Sequence, residues 1–182
     1  MAPFLSFGNK IEIAHKLYAM KRIYALGLPI LLSILFAACA TSKEARTYKS
    51  TLNGNWQLQT VTTEGITGKV KMELFNEADF NCFVGSSWSF KSQNNLGKYS
   101  IQKNGNECAA LTREFRWSIY EAPGEPKLFQ FKRLDDKLKE LDENSGGFRF
   151  TITQLDNSSM ILKSNISFEG KPAAIVYNFV RI

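Results

Sequence analysis

The chain is almost without histidine. His15 is the only one in 182 residues, and it stands upstream of residue 39, where the mature protein is expected to begin. Its loss excludes Ser-His-Asp and Cys-His catalysis, histidine acid–base chemistry and histidine metal ligation together. Cysteine is scarce too, with Cys39, Cys82 and Cys108 alone, so no thiolate cluster for a metal is expected. No Lys/Arg block interleaved with aromatics exists, which leaves no footprint for nucleic acid. Gly85-Ser86-Ser87-Trp88 lacks the second glycine and the base that a nucleophile elbow needs. Asp135-Asp136 lies in a Lys-rich stretch and reads as a solvated face. The apolar run Ile23–Ala38 has 16 residues, short of the roughly 20 that cross a bilayer as a helix.

That run has another use. Met20-Lys21-Arg22 precedes it, Ala37-Ala38 ends it and Cys39 follows, giving the charged start, apolar core and small-residue cleavage site of a secretory signal. The stretch resembles the lipobox of bacterial lipoproteins, from which it departs at the bulky Phe36. The resemblance implies a diacylglyceryl group on the Cys39 thiol, cleavage before Cys39 and acylation of the new amino terminus. Two or more acyl chains anchor a protein durably in a bilayer. Residues 1–19 fit neither signal nor fold and are expected to be an over-extended start, with translation from Met20. Residues 20–38 are then the signal peptide, 39–51 the lipidated cysteine and a polar tether, and 52–182 the folded domain. Ala40, in place of the aspartate that retains many such lipoproteins at the inner membrane, points to the outer membrane, on either face.

Residues 39–182 number 144, enough for one ordinary domain. Their 19 Lys/Arg against 16 Asp/Glu leave +3 of the full chain's +6. Cys82 and Cys108 form an even pair in an oxidising compartment, which reads as a disulfide. The alternatives are two buried thiols or an incomplete metal site.

After Thr51 the chain is a succession of short β-like runs. Trp56-Leu58-Thr60, Phe115-Trp117-Ile119, Phe129-Phe131 and Phe148-Phe150-Ile152 alternate with polar residues, the period of strands with one wet face. Asn104-Gly105, Asp156-Asn157-Ser158 and Glu169-Gly170 read as turns, and Pro123-Gly124 as part of a longer loop. Leu134, Leu138 and Leu141 recur at helical spacing, which predicts an amphipathic helix over 133–143. The expected fold is all-β: an antiparallel up-and-down barrel of about eight strands with one short covering helix.

Leu52-Asn53-Gly54-Asn55-Trp56 opens the first strand. A Gly-x-Trp there resembles the lipocalin signature, above all that of lipocalin-like bacterial lipoproteins, although the motif of the second conserved lipocalin loop is not evident. The resemblance implies that Trp56 plugs the closed end of a barrel and that Arg181 lies across its indole, a cation–π contact of about 1 kcal/mol. Gly54 lets the chain enter the barrel floor tightly. The small META-type β module of envelope proteins is a competing resemblance, opposed by the extra length and strands.

Without histidine in the mature part or an activated-nucleophile pattern, no catalysis, cofactor or metal is expected. The lipobox implies the anchor, and the lipocalin resemblance implies a protein that binds a small apolar or amphiphilic ligand. Phe115, Trp117, Phe129, Phe131, Phe148 and Phe150 are the candidates to line its cavity. Equally, these rings could fill an eight-stranded interior completely. A ligand-free module docking on an envelope protein is the alternative function.

Overall fold

The computed structural model describes residues 42–68, 70–102, 107–141 and 146–182. The signal segment, Cys39 and Asn104-Gly105 lie outside them. The described fold starts with helix α1, Lys43–Leu52, where a polar tether was expected. Ser42 caps it by accepting a hydrogen bond from the Ala45 amide at 3.0 Å. Ala45, Tyr48 and Leu52 share one face and pack into the core. Three apolar residues among ten were too few to announce a helix, and packing against the barrel supplies what the sequence pattern lacks.

Eight strands then close a barrel: β1 Gly54–Glu64, β4 Ser87–Lys91, β5 Leu96–Ile101, β6 Leu111–Tyr120, β7 Leu128–Leu134, β8 Phe148–Leu155, β9 Ser159–Phe168 and β10 Lys171–Arg181. Neighbours in sequence pair antiparallel around the ring, and β1 closes it between β10 and β4. The connection from β1 to β4 is the longest. It carries a separate two-stranded hairpin, β2 Glu73–Leu74 and β3 Ala78–Asp79, and the one-turn helix α2, Phe80–Phe83. Val70–Phe75 is thus largely loop with a two-residue strand, not a wall strand.

Alternation places the rings as the barrel requires. Trp56 and Leu58 face inward, but a bulge between Leu58 and Thr60 shifts the register. Val61 is therefore the next buried residue and Thr60 is solvent-facing. Asp156 holds the β8–β9 turn, its carboxylate accepting from the Ser158 and Ser159 amides at 2.7 and 2.8 Å. Glu169-Gly170 forms the β9–β10 turn with both residues at positive φ.

No helix forms over 133–141, the described part of the 133–143 stretch where one was expected. Leu134 belongs to β7 and is buried, whereas Leu138 and Leu141 are 44% and 46% exposed. The Asp135 carboxylate accepts from the Lys137 and Lys139 amides, both at 2.8 Å. This local turn competes with helix, and Leu138 adopts a positive φ. The covering helix is α1 instead, at the opposite end of the barrel from this turn.

Cys82 in α2 and Cys108, just before β6, form a disulfide across 26 residues with Cα atoms 5.4 Å apart. It ties the base of the long β1–β4 connection to the wall.

Candidate functional site

One end of the barrel is shut. The Trp56 indole is fully buried and its Nε1–H donates to the Leu52 carbonyl at 2.8 Å, joining the floor to the last turn of α1. The Arg181 guanidinium lies 4.3 Å from the centre of the indole. It also donates to the carbonyls of Asn157 at 2.7 Å, Asn53 at 2.9 Å, and Thr51. One side chain thus links the C-terminus of α1, the β8–β9 turn and the floor ring. Gly54 has a φ of +129°, and a Cβ there would stand 2.5 Å from an Arg181 guanidinium nitrogen. Only glycine meets both demands.

The other end is the mouth, and Phe75 occupies it. Phe75 and Asn76 make the turn of the β2–β3 hairpin with φ of 55° and 53°, a left-handed pair that a bulky side chain adopts only under compensation. The compensation is aromatic. The Phe75 ring lies 5.1–6.2 Å from those of Phe83, Trp88, Tyr99, Phe131, Phe148, Phe150 and Tyr177. Edge-on and tilted contacts dominate, the geometries that ring quadrupoles favour.

A cleft of about 590 Å³ opens beside this ring, between the hairpin and strands β8, β9 and β10. Phe75, Phe148, Phe150, Ile166, Ile175 and Tyr177 give it apolar walls, and Glu73, Asn76, Arg149 and Asn165 edge it with polar groups. Its volume falls in the range of small-molecule sites. A smaller cleft of about 250 Å³ lies between β6 and β7, lined largely by the polar side chains of Arg116, Ser118, Gln130, Lys132 and Glu140.

A charged cluster pins the hairpin to the wall. Glu77 accepts from the Tyr99 hydroxyl and from Arg113 Nε at 2.5 Å, with Arg133 at 3.5 Å. Burial, then the Glu77 hydrogen bond, pushes the Tyr99 hydroxyl far above its ordinary 10.0, and burial alone raises Tyr177. A group that holds its proton more tightly when folded stabilises the fold below its unfolded pKa and loses that contribution as pH rises beyond it. Stability is therefore expected to fall above pH of about 10. Phenolate absorbance checks it: Tyr99 and Tyr177 should ionise only together with unfolding, and normal titration with the fold intact would contradict their burial.

The six aromatic candidates come together, and they pack on one another. Phe115, Trp117, Phe129, Phe131 and Phe150 are all at most 3% exposed, joined by ring contacts such as Phe115–Phe131 at 5.2 Å and Phe131–Phe148 at 5.1 Å. Only Phe148 and Phe150 border the mouth cleft. The sequence reading missed Phe75, Glu77, Tyr99, Arg113, Arg133 and Tyr177. A signal for the two arginines existed: Arg113 shares the two-residue period of Phe115 and Trp117, and Arg133 that of Phe129 and Phe131. Among the described residues no group of three or more His, Cys, Asp or Glu side chains could hold a metal, and no helix is long and apolar enough to cross a membrane.

No curated protein is similar to this sequence. Solved structures with a loosely similar barrel include a bovine odorant-binding protein in complex with a selenium-containing odorant. That protein is 12% identical over 79% of this chain and 78% of its own, with a TM-score of 0.38. The odorant-binding protein from bovine nasal mucosa is 9% identical over 79% and 76%, with the same score. The family model for the Lipocalin-like domain matches residues 52–162. That stretch runs from the last residue of α1 through Trp56, the Phe75 hairpin and the disulfide into β9, and the chain belongs to the lipocalin-like domain family.

Proposed function

We propose that this protein is a lipid-anchored lipocalin-like binding protein, acylated at Cys39 and held in the cell envelope, that takes up a small apolar or amphiphilic ligand at the barrel mouth. The observation that carries the reading is the mouth cleft. It is apolar on its walls, polar at its edge and large enough for a small molecule. Membership of the lipocalin-like family supports it. The signal-like run ending in Cys39, followed by Ala40, supports the anchor and the outer membrane. With no histidine from residue 16 onward and no activated nucleophile, binding accounts for the site better than catalysis does.

A ligand-free docking module is favoured by the ring-filled interior, but it needs an exposed apolar patch. Among the described residues the exposed large apolar side chains fall in three places: Val84; Leu138 and Leu141 in the turn after β7; and Val180 and Ile182 at the end of β10. Trp88 lies 5.9 Å from Phe75, so tryptophan emission reports on the mouth. Titration with alkyl amphiphiles should give a saturable one-to-one change, abolished by Ile175→Glu in the cleft wall. No saturable change with any of them would sink the binding reading.

A further inference from the structure

An apolar barrel has no use for charge on its inner face, yet Arg113 and Arg133 continue the inward rows of β6 and β7 to the mouth. Their side chains are 24% and 11% exposed and meet the Glu77 carboxylate, itself 5% exposed, at 2.5 and 3.5 Å. Tyr99 adds a hydroxyl donor. Charges so far removed from water need a partner, and the Glu77 carboxylate that both arginines meet lies outside the wall. It comes from the β2–β3 hairpin, a sheet of its own outside the barrel ladder. The hairpin's backbone hydrogen bonds, such as Glu77 to Leu74 at 3.1 Å and Phe80 to Met72 at 2.9 Å, stay within its own segment. Side chains fasten it to the wall: the Phe75 ring, the Glu77 carboxylate and an Arg133 hydrogen bond to the Asn76 carbonyl at 3.4 Å.

Phe75 and Glu77, two residues apart, therefore present an apolar group and a carboxylate side by side. We infer that this pair is a built-in stand-in for the ligand. The barrel takes a long-chain carboxylate, whose head replaces Glu77 on Tyr99, Arg113 and Arg133 and whose chain replaces the Phe75 ring and extends into the adjoining cleft. The inference rests on the binding function proposed above and specifies the chemistry of the ligand. Exchange keeps the buried cations paired throughout, since one carboxylate leaves as another arrives. It also releases Phe75 from its left-handed φ of 55°. A neutral amphiphile would displace the ring but leave Glu77 in place, or leave the arginines without it.

Calorimetric titration of the protein with dodecanoate and with dodecanol, each below its aggregation concentration, tests this. Dodecanoate should bind about tenfold or more tightly, the preference that charge-assisted hydrogen bonds to the head confer. Arg113→Gln should bring the two affinities together. Glu77→Gln, which removes the internal competitor, should strengthen dodecanoate binding. The wild-type ratio needs no variant and stands even where a substitution fails to fold. Equal affinities, or tighter binding of dodecanol, overturn the carboxylate assignment while leaving apolar binding intact. Weaker dodecanoate binding by folded Glu77→Gln overturns the role of Glu77 as competitor. Binding of neither compound overturns both the assignment and the function on which it rests.

Discussion

Replacing Trp56 by alanine is expected to cost about 3–5 kcal/mol of folding stability, the range for deleting a fully buried large aromatic side chain. Three losses add at this position. The indole leaves a cavity beneath α1 that a ring of backbone cannot refill. The Leu52 carbonyl loses the Trp56 donor at 2.8 Å, and a buried acceptor left unpaired is costly. Arg181 keeps its carbonyl partners but loses the ring face at 4.3 Å. Against a domain stability of about 5–15 kcal/mol, this is a large fraction. Denaturant unfolding should show the midpoint falling steeply, with the slope showing whether α1 has detached. Trp56→Phe, which keeps the ring and loses the donor, should cost about 1–2 kcal/mol. A Trp56→Ala midpoint within error of wild type would mean that the end is not closed by this packing.

Reduction of the Cys82–Cys108 bond is the second large effect. A closed loop of 26 residues restricts the unfolded chain by about 3.5 kcal/mol on the chain-entropy account. Here the bond also holds α2, and with it the fully buried Phe83, at the base of the mouth connection. Phe83 in turn lies 5.1 Å from Phe75, so reduction loosens the seat of the plug as well as the global fold. Unfolding midpoints in the presence and absence of reductant, and in the Cys82→Ser/Cys108→Ser variant, should agree on a loss of this size. Identical midpoints for oxidised and reduced protein would show that the bond does not constrain the chain.

The barrel was legible because its signal is periodic. Phe115-Trp117-Ile119 and Phe129-Phe131 alternate without interruption, and both strands lie where the alternation puts them. The disulfide was legible from counting alone. What failed was local and has physical causes. The α1 stripe consists of Ala45, Tyr48 and Leu52, too weak to stand out without the barrel against which it packs. Leu134, Leu138 and Leu141 have helical spacing, but the Asp135 carboxylate captures the amides that a helix would use.

The site was harder to read than the fold, since its key residue breaks a rule. Phe75 takes a left-handed φ that no sequence pattern announces for phenylalanine. Its reward is contact with seven rings from α2 and five strands, contacts distant in sequence. Arg113 and Arg133 were readable by period, but an inward charge makes sense only once Glu77 is seen to meet it.

The central claim is that an apolar chain enters the mouth where Phe75 now sits. Nuclear Overhauser contacts between a bound isotope-labelled dodecanoate and the protein test it directly. The account predicts contacts from the chain methylenes to the ring protons of Phe150 and Tyr177 and the methyls of Ile175, with the Phe75 ring resonances displaced. Contacts confined to outer residues such as Val84 or Ile182, with Phe75 unmoved, would contradict it.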